Sequence, residues 1–383
     1  MFGFKQYIPF LTEQKAPARG IQHLPHPAES AFNTKKSAVG SSLSKIQGVI
    51  NGRAPITRKI DDRMSFQVVK TPEGKVGVKY KGPGAQYNYS HEDIKKQYTH
   101  KPYIAGPLMN ILNHVHKVLP DKAGEYQGGY LSAPEDRQTE DDHIGHTPNT
   151  IKYSVAKDSP EGKKLAKSRV SLVMHSQLDK SGKASPIEHS EFKQHPDVHL
   201  MNHSVSADER KMSPEEKRKT MEHIAAAKKL SKDHSHDHHV DHEETLNRYS
   251  NSTIDTGEKP SASGYKKFLQ RYHQKRIDSV KTDKAKAKKA EEMKAAINHV
   301  NDNIEKFDRT FDIHHHMQKA TYAVADALSK TAHGGYKHHI DNEPAAGEGF
   351  VSNGVKFVPR KFTEANRKRS AALKAKKTAQ SVI

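Results

Sequence analysis

The chain has 383 residues, only 33% of them hydrophobic, and a mean hydropathy of −0.91, so its core is smaller than its length suggests. Sixty-four lysines and arginines against 45 acids give a net charge of +19 before any of the 27 histidines is protonated, which points either to a polyanionic partner, nucleic acid first, or to a solvated lysine-rich helical surface. No run approaches the roughly 18 apolar residues of a membrane-spanning helix, and the lack of cysteine excludes disulfides, thiolate zinc sites and cysteine nucleophiles.

Residues 1–48 read as a flexible N-terminal segment, an apolar and aromatic stretch from Met1 to Glu13 followed by Pro-, Gly- and Ser-containing sequence. The stretch lacks the basic start, unbroken apolar run and cleavage site of a secretory signal. From Ile56 to about residue 82 the pattern is that of a β-hairpin, with Thr71-Pro-Glu-Gly74 as its turn. Ser90 and Asp93 can cap a short helix, and Pro107 to Leu119 has the apolar spacing of an amphipathic one. Strands are predicted at about 126–132 and 150–155, a helix from Ser159-Pro160 to Ser168, and a buried strand from Arg169 to His175. Residues 49–180 therefore read as an α+β unit.

Residues 181–262 read as a polar, His-rich linker, partly disordered, with one helix signal in the capping box of Ser213 and Glu216. Residues 263–333 read as a helical insertion of two long helices, with Ile297, Val300, Ile304, Phe307 and Phe311 at helical intervals. Residues 334–366 return to strands, with Ser352-Asn-Gly-Val355 as a tight turn, and 367–383 form a basic tail.

Two charged segments complement one another. The period of a strand puts Lys59 and Asp61 on one face, and neighbouring cations such as Arg58 or Arg63 can lower a lysine pKa and free its amine as a nucleophile. Glu348 can hold a divalent metal and Lys356 can neutralise phosphate charge. The plainer reading of the same residues is charge facing water from half-buried strands. Histidines between His234 and His242 can bind Zn, Ni or Cu, but their polar flanks favour a solvated linker. His314, His315 and His316 cannot share one helix face, which divides them between surface and core. Arg360, Lys361, Arg367, Lys368 and Arg369 suit a phosphate backbone, or merely solubilise the tail.

Lys59-Ile-Asp-Asp62 resembles the Lys-x-Asp-Gly nucleophile motif of the covalent nucleotidyltransferase superfamily of ATP-dependent DNA and RNA ligases and messenger-RNA capping enzymes. Glu348-Gly-Phe-Val351 is similar to its metal-binding motif, and Lys356-Phe-Val358 to its phosphate-contacting lysine motif. His146 to Tyr153, Asp158 to Gly162 and Val170 to His175 resemble the middle segment of an uncharacterised ligase-like family of tailed, T4-like phages. The resemblance implies a ligase-type, ATP-grasp-like antiparallel-sheet core with a helical insertion. It further implies ATP and magnesium, a lysyl-AMP on Lys59, and transfer of the nucleotide to an RNA or DNA end. Asp61, Arg63, Glu125 and Lys356 would bind the nucleotide and Glu348 the metal.

Two departures qualify it. Asp62 stands where the motif has glycine, and the Gly-acidic motif aligns either with Gly128-Gly129, which lacks the acid, or with Gly124-Glu125. The alternative is a catalytically silent relative that binds nucleic acid or is packaged in the phage head. Met1 to Glu13 resembles the capsid-targeting peptides of T4-like internal head proteins, and Leu11-Thr-Glu13 a prohead-protease site. Phage head or prohead proteins are then the expected partners, with the host cytoplasm or the virion as location and no membrane partner.

Overall fold

The computed structural model describes residues 24–82, 84–256 and 258–369. The expectations for Met1 to Glu13 and for 370–383 lie outside them. In chain order the elements are α1 (Ser37–Ile50), β1 (Thr57–Arg58), β2 (Met64–Lys70), β3 (Val76–Tyr80), α2 (His91–Gln97), α3 (Pro102–His114), β4 (Gly124–Ser132), β5 (Arg137–Glu140), β6 (His143–His146) and β7 (Lys152–Ala156). Then follow α4 (Pro160–Lys167), β8 (Val170–Leu178), β9 (Ala184–Pro186), β10 (Val198–Leu200), α5 (Pro214–Ser231), α6 (Glu243–Thr256), α7 (Ala262–Asp278), α8 (Asp283–Asp302) and α9 (Ile304–Leu328). β11 (Lys337–Ile340), β12 (Glu343–Pro344), β13 (Phe350–Ser352) and β14 (Val355–Phe357) complete the strands, and 360–369 is helical. The class is α+β. Among the described residues no helix is long and apolar enough to cross a membrane.

The chain divides into two units. The sheet unit holds residues 62–149 and 154–203, and the helical unit holds 24–61, 150–153 and 204 onward. The expected division, with 49–180 and 334–366 as one domain and 263–333 inserted into it, does not hold. Apolar side chains of α1, α9, β13 and β14 share one buried cluster, so the helices and the last strands are parts of one core.

In the sheet unit the strand order is β10-β8-β4-β2-β3, antiparallel except where β10 joins β8. Alternation decides its two faces. Met64, Phe66, Val68, Val78, Leu172 and Met174 turn to a core with Ile94 of α2 and Leu108 and Ile111 of α3. Ser65, Gln67, Lys79, Gln127 and Gly129 take the opposite face, as the register Ser65↔Gly129, Gln67↔Gln127 and Gln67↔Lys79 requires. The Thr71–Gly74 turn forms as its sequence predicts, with Gly74 at φ 82°. The capping boxes of Ser90 with Asp93 and, in the helical unit, of Ser213 with Glu216 form as well.

In the helical unit α9 is the central element, burying Phe307, Phe311, Met317 and Val324 against Phe32, Ile46, Ile224, Leu246 and Tyr265. Residues 27–50, expected to be flexible, contribute Phe32, Val39, Leu43 and Ile46 to this core. Where two long helices are predicted there are three, because Thr282 caps a new start through Ala285 N–H and the chain breaks again at Asn303.

The largest difference lies in 181–262. β9, β10, α5 and α6 occupy most of it, and the histidine segment is buried rather than solvated. His234, His238, His239 and His242 are at most 8% exposed. His234 Nε2 and His238 Nε2 lie 2.8 and 3.1 Å from Thr310 Oγ1 of α9, and His242 Nδ1 lies 2.8 Å from Tyr265 Oη of α7. The His238 ring meets Phe307 edge to face, and His242 stacks on His299 of α8. Neutral imidazoles serve here as polar aromatic core residues, a role that composition cannot separate from solvation. Among the described residues no group of three donors is placed to hold a metal ion.

Candidate functional site

The motif residues of the helical unit are organised by a small sheet, β1-β13-β14. Asn353 and Gly354, at φ 48° and 73°, close the β13–β14 hairpin as the left-handed pair that a two-residue turn requires. Phe350 lies opposite Phe357 and both are buried, so the next pair, Val351 and Lys356, turns to the other face. β1 adds antiparallel to β13, with Thr57↔Val351 and Arg58↔Phe350, and Lys59 N–H donates to Gly349 O at 2.8 Å. Gly349 sits at φ 135°, and a Cβ there would lie 2.3 Å from Phe357 O. Only glycine lets β14 approach so closely, which is the local reason for a Glu-Gly pair.

This frame brings together two residues that lie 289 positions apart in the sequence. Lys59 Nζ forms an ion pair with Glu348 Oε1, with side-chain exposures of 33% and 16%. Glu348 Oε2 is buried and has no hydrogen-bond partner. Lys356 is on the adjacent strand, where burial lowers its pKa and Glu29 acts in the opposite sense. The same pairing works on Glu29, whose carboxyl is raised by burial and lowered by Lys356.

Arg58, expected to act as a cation beside Lys59, is a clamp. Its guanidinium is 5% exposed and binds the Glu209 carboxylate, Ser204 O and Ala332 O. Asp61 is likewise tied to backbone. Its Oδ2 accepts from Thr150 N–H at 2.5 Å and Ile151 N–H at 3.0 Å, while its own N–H donates to Tyr153 Oη at 2.8 Å. Asp61→Ala removes two hydrogen bonds to a buried charge, each worth about 1.5–3 kcal/mol. The expected loss is about 3 kcal/mol in chemical denaturation, with Asp61→Asn losing less than half of that because an acceptor oxygen remains.

Arg63 and Glu125 belong to the sheet unit and do not act together. Arg63 Nη1 pairs with Asp136 Oδ1 at 2.8 Å, whereas Glu125 accepts from Tyr87 Oη and faces Lys79. Glu125 lies opposite Val69, six residues along the strand from Arg63, or about 20 Å. Arg360 and Lys361, expected in the final strands, and Arg367, Lys368 and Arg369, expected in the tail, are all helical, with Arg360 Nε on Glu364 Oε1 at 2.8 Å and Arg369 Nη1 on Thr150 O at 3.3 Å.

The departure at Asp62 has a local explanation within the sheet unit. Its carboxylate takes a hydrogen bond from Ser65 Oγ at 2.9 Å and fills the space over Gly129, where an added Cβ would meet Asp62 Oδ2 at 2.4 Å. Asp62 and Gly129 are thus a complementary pair. Gly129→Ala is expected to destabilise the sheet unit by about 1–3 kcal/mol through overpacking, and Asp62→Gly in the same chain to restore most of that in thermal melts. Equal melting of the single and double variants would refute the pairing. Sequence reasoning missed His175, whose Nε2 is 4.0 Å from Asp62 Oδ2, and Lys81, whose pKa is lowered by burial and raised by Asp62. The alternation of polar residues through 125, 127 and 129 was the signal available.

A family model described as a family of unknown function (DUF6267) matches residues 80–370, most of the chain, and the chain belongs to that family. No curated protein and no solved structure matches it.

Proposed function

We propose that this member of the family is an ATP-dependent nucleotidyltransferase acting on nucleic-acid ends, RNA before DNA, with Lys59 as nucleophile. The observation that carries the reading is the pairing of Lys59 with Glu348 across 289 positions of sequence, the two residues that the motif resemblance singles out. Chance motif matches have no reason to be neighbours in space.

The chemistry asks little else of the protein. The Lys59 amine attacks the α-phosphorus of ATP, a P–N bond forms, the bond to the pyrophosphate oxygen breaks, and Nζ gives up a proton. A 5′-phosphate end then takes the AMP, and a 3′-hydroxyl displaces it. Divalent magnesium fits the donor set. It prefers one or two carboxylates together with substrate phosphates and water, and Glu348 Oε2 is a buried carboxylate oxygen without a partner. When bound, the ion would neutralise triphosphate charge. Lys356, its ammonium disfavoured by burial, is suited to an incoming phosphate that restores the charge balance.

A second reading rests on the same ion pair. A lysine held by a carboxylate is held as ammonium, which is not nucleophilic, so a relative that binds nucleic acid without catalysis would keep this contact as a structural clasp. Incubation with ATP labelled at the α-phosphate and magnesium separates the two. Label retained on the denatured protein and lost in acid, as a phosphoramidate requires, supports the enzyme. Well-folded protein that takes no label is the silent relative.

A further inference from the structure

We propose that the outward face of α7 is a binding surface for the phosphodiester backbone of a nucleic-acid strand. α7 buries Ala262, Tyr265, Leu269 and His273, a stripe repeating every three or four residues. Lys267, Arg271 and Lys275 repeat with the same period, displaced by two residues from Tyr265, Leu269 and His273. Two residues are about 200° of helix, so this cationic stripe lies opposite the buried one, and all three side chains are exposed.

The stripe gathers like charges on one exposed helix face. On two other helices of this unit arginines are neutralised by acids one turn away: Arg218 pairs with Glu215 and Glu222 on α5, and Arg248 with Glu244 on α6. On α7, Lys267 and Arg271 have no acid three or four positions away, and each is instead four residues from another cation. Like charges at that spacing destabilise a helix. An anionic partner with regularly spaced charge reverses the sign of that cost. Four residues of helix rise about 6 Å, comparable to the spacing of successive phosphates along an extended strand. The surplus continues beyond α7, with 11 lysines and arginines against five acids from Ala262 to Asp302 and Lys281 exposed at the turn. This surface is separate from Lys59 and does not depend on its chemistry.

The test uses the full chain and a fluorescently labelled single strand, RNA and DNA in turn, with anisotropy followed across a salt series. The triple variant Lys267→Gln, Arg271→Gln, Lys275→Gln is expected to weaken binding at least tenfold at low salt. The slope of log affinity against log salt should fall by about 2–3, as three lost phosphate contacts require. A control removing equal charge from paired positions, Arg218→Gln, Lys219→Gln, Arg248→Gln, should change affinity less than threefold. Circular dichroism checks helicity, and Lys267→Arg with Lys275→Arg should retain binding. Equal effects of the two triples would mean a response to net charge alone and overturn the proposal. So would unchanged binding by the α7 triple, or a wild-type chain that prefers anionic vesicles to nucleic acid. Adduct formation at Lys59, measured on the same proteins, is expected to be unchanged in the α7 triple, so failure of either proposal is read separately.

Discussion

On the proposed nucleotidyltransferase reading, replacing Lys59 with arginine is expected to remove the covalent nucleotide adduct altogether, a loss of at least about a thousandfold in labelling, while leaving the fold intact. Arginine preserves the positive charge that Glu348 requires and can keep the ion pair, but its guanidinium is never neutral near physiological pH and offers no nucleophilic nitrogen. Lys59→Ala alone would be less informative, because it strands a buried carboxylate and risks the local structure. Glu348→Gln separates the roles further. It should retain measurable labelling but at a rate lowered by about a hundredfold or more, the scale of losing one electrostatic stabiliser of a developing charge. That deficit should be greatest at low magnesium. Wild-type labelling in Lys59→Arg would place the nucleophile elsewhere and end the nucleotidyltransferase reading of this site.

The second large effect is on stability. In the helical unit burial pushes His238 and His314 down to about 3, and His234, His239, His242 and His338 down to about 4. Positive charge nearby reinforces this at His234, which Arg309 and Lys306 of α9 face. The unfolded chain takes up protons near pH 6.5, whereas the folded unit resists until about 4 to 3. Between those limits the unfolded state binds more protons, so stability is fully present above pH 6.5 and falls as pH is lowered. Each such histidine contributes a slope of about 1.4 kcal/mol per pH unit. Against a typical domain stability of about 5–15 kcal/mol, one to two pH units should unfold this unit. Hydrogen exchange resolved by peptide should show the helices 214–328 losing protection between pH 6 and 4.5 before the β2–β4–β8 strands do, and His238→Phe with His239→Leu should move that transition to lower pH. Persistent protection of α9 at pH 4.5 would refute the account.

The acid response also marks where sequence reading reached its limit. Local chemistry was legible: the Ser90 and Ser213 caps, the Thr71–Gly74 turn, the Asn353-Gly354 hairpin and the alternation in β2 and β4 each depend on neighbours within a few residues. The grouping of elements was not. Nothing local distinguishes a histidine that packs on Phe307 from one in water, and the aromatic and hydroxyl partners of the 234–242 segment lie on α7, α8 and α9, far along the chain. For the same reason Arg58 read as a modulator of Lys59, while its partners Ser204, Glu209 and Ala332 make it a clamp. At the candidate site, the nomination of Lys59 and Glu348 came from motif resemblance, and their contact required β1 to pair with β13.

That pairing has a cost in time. Thr57 and Val351 are 294 residues apart, and a ribosome adding about 5–20 residues per second needs roughly 15–60 s to supply the partner strand. Throughout that interval β1 lacks the strand that aligns Lys59, and loops of this length close late. The amine and its carboxylate therefore meet only after 289 further residues have been added to the chain, which makes their ion pair a late marker of this unit's assembly.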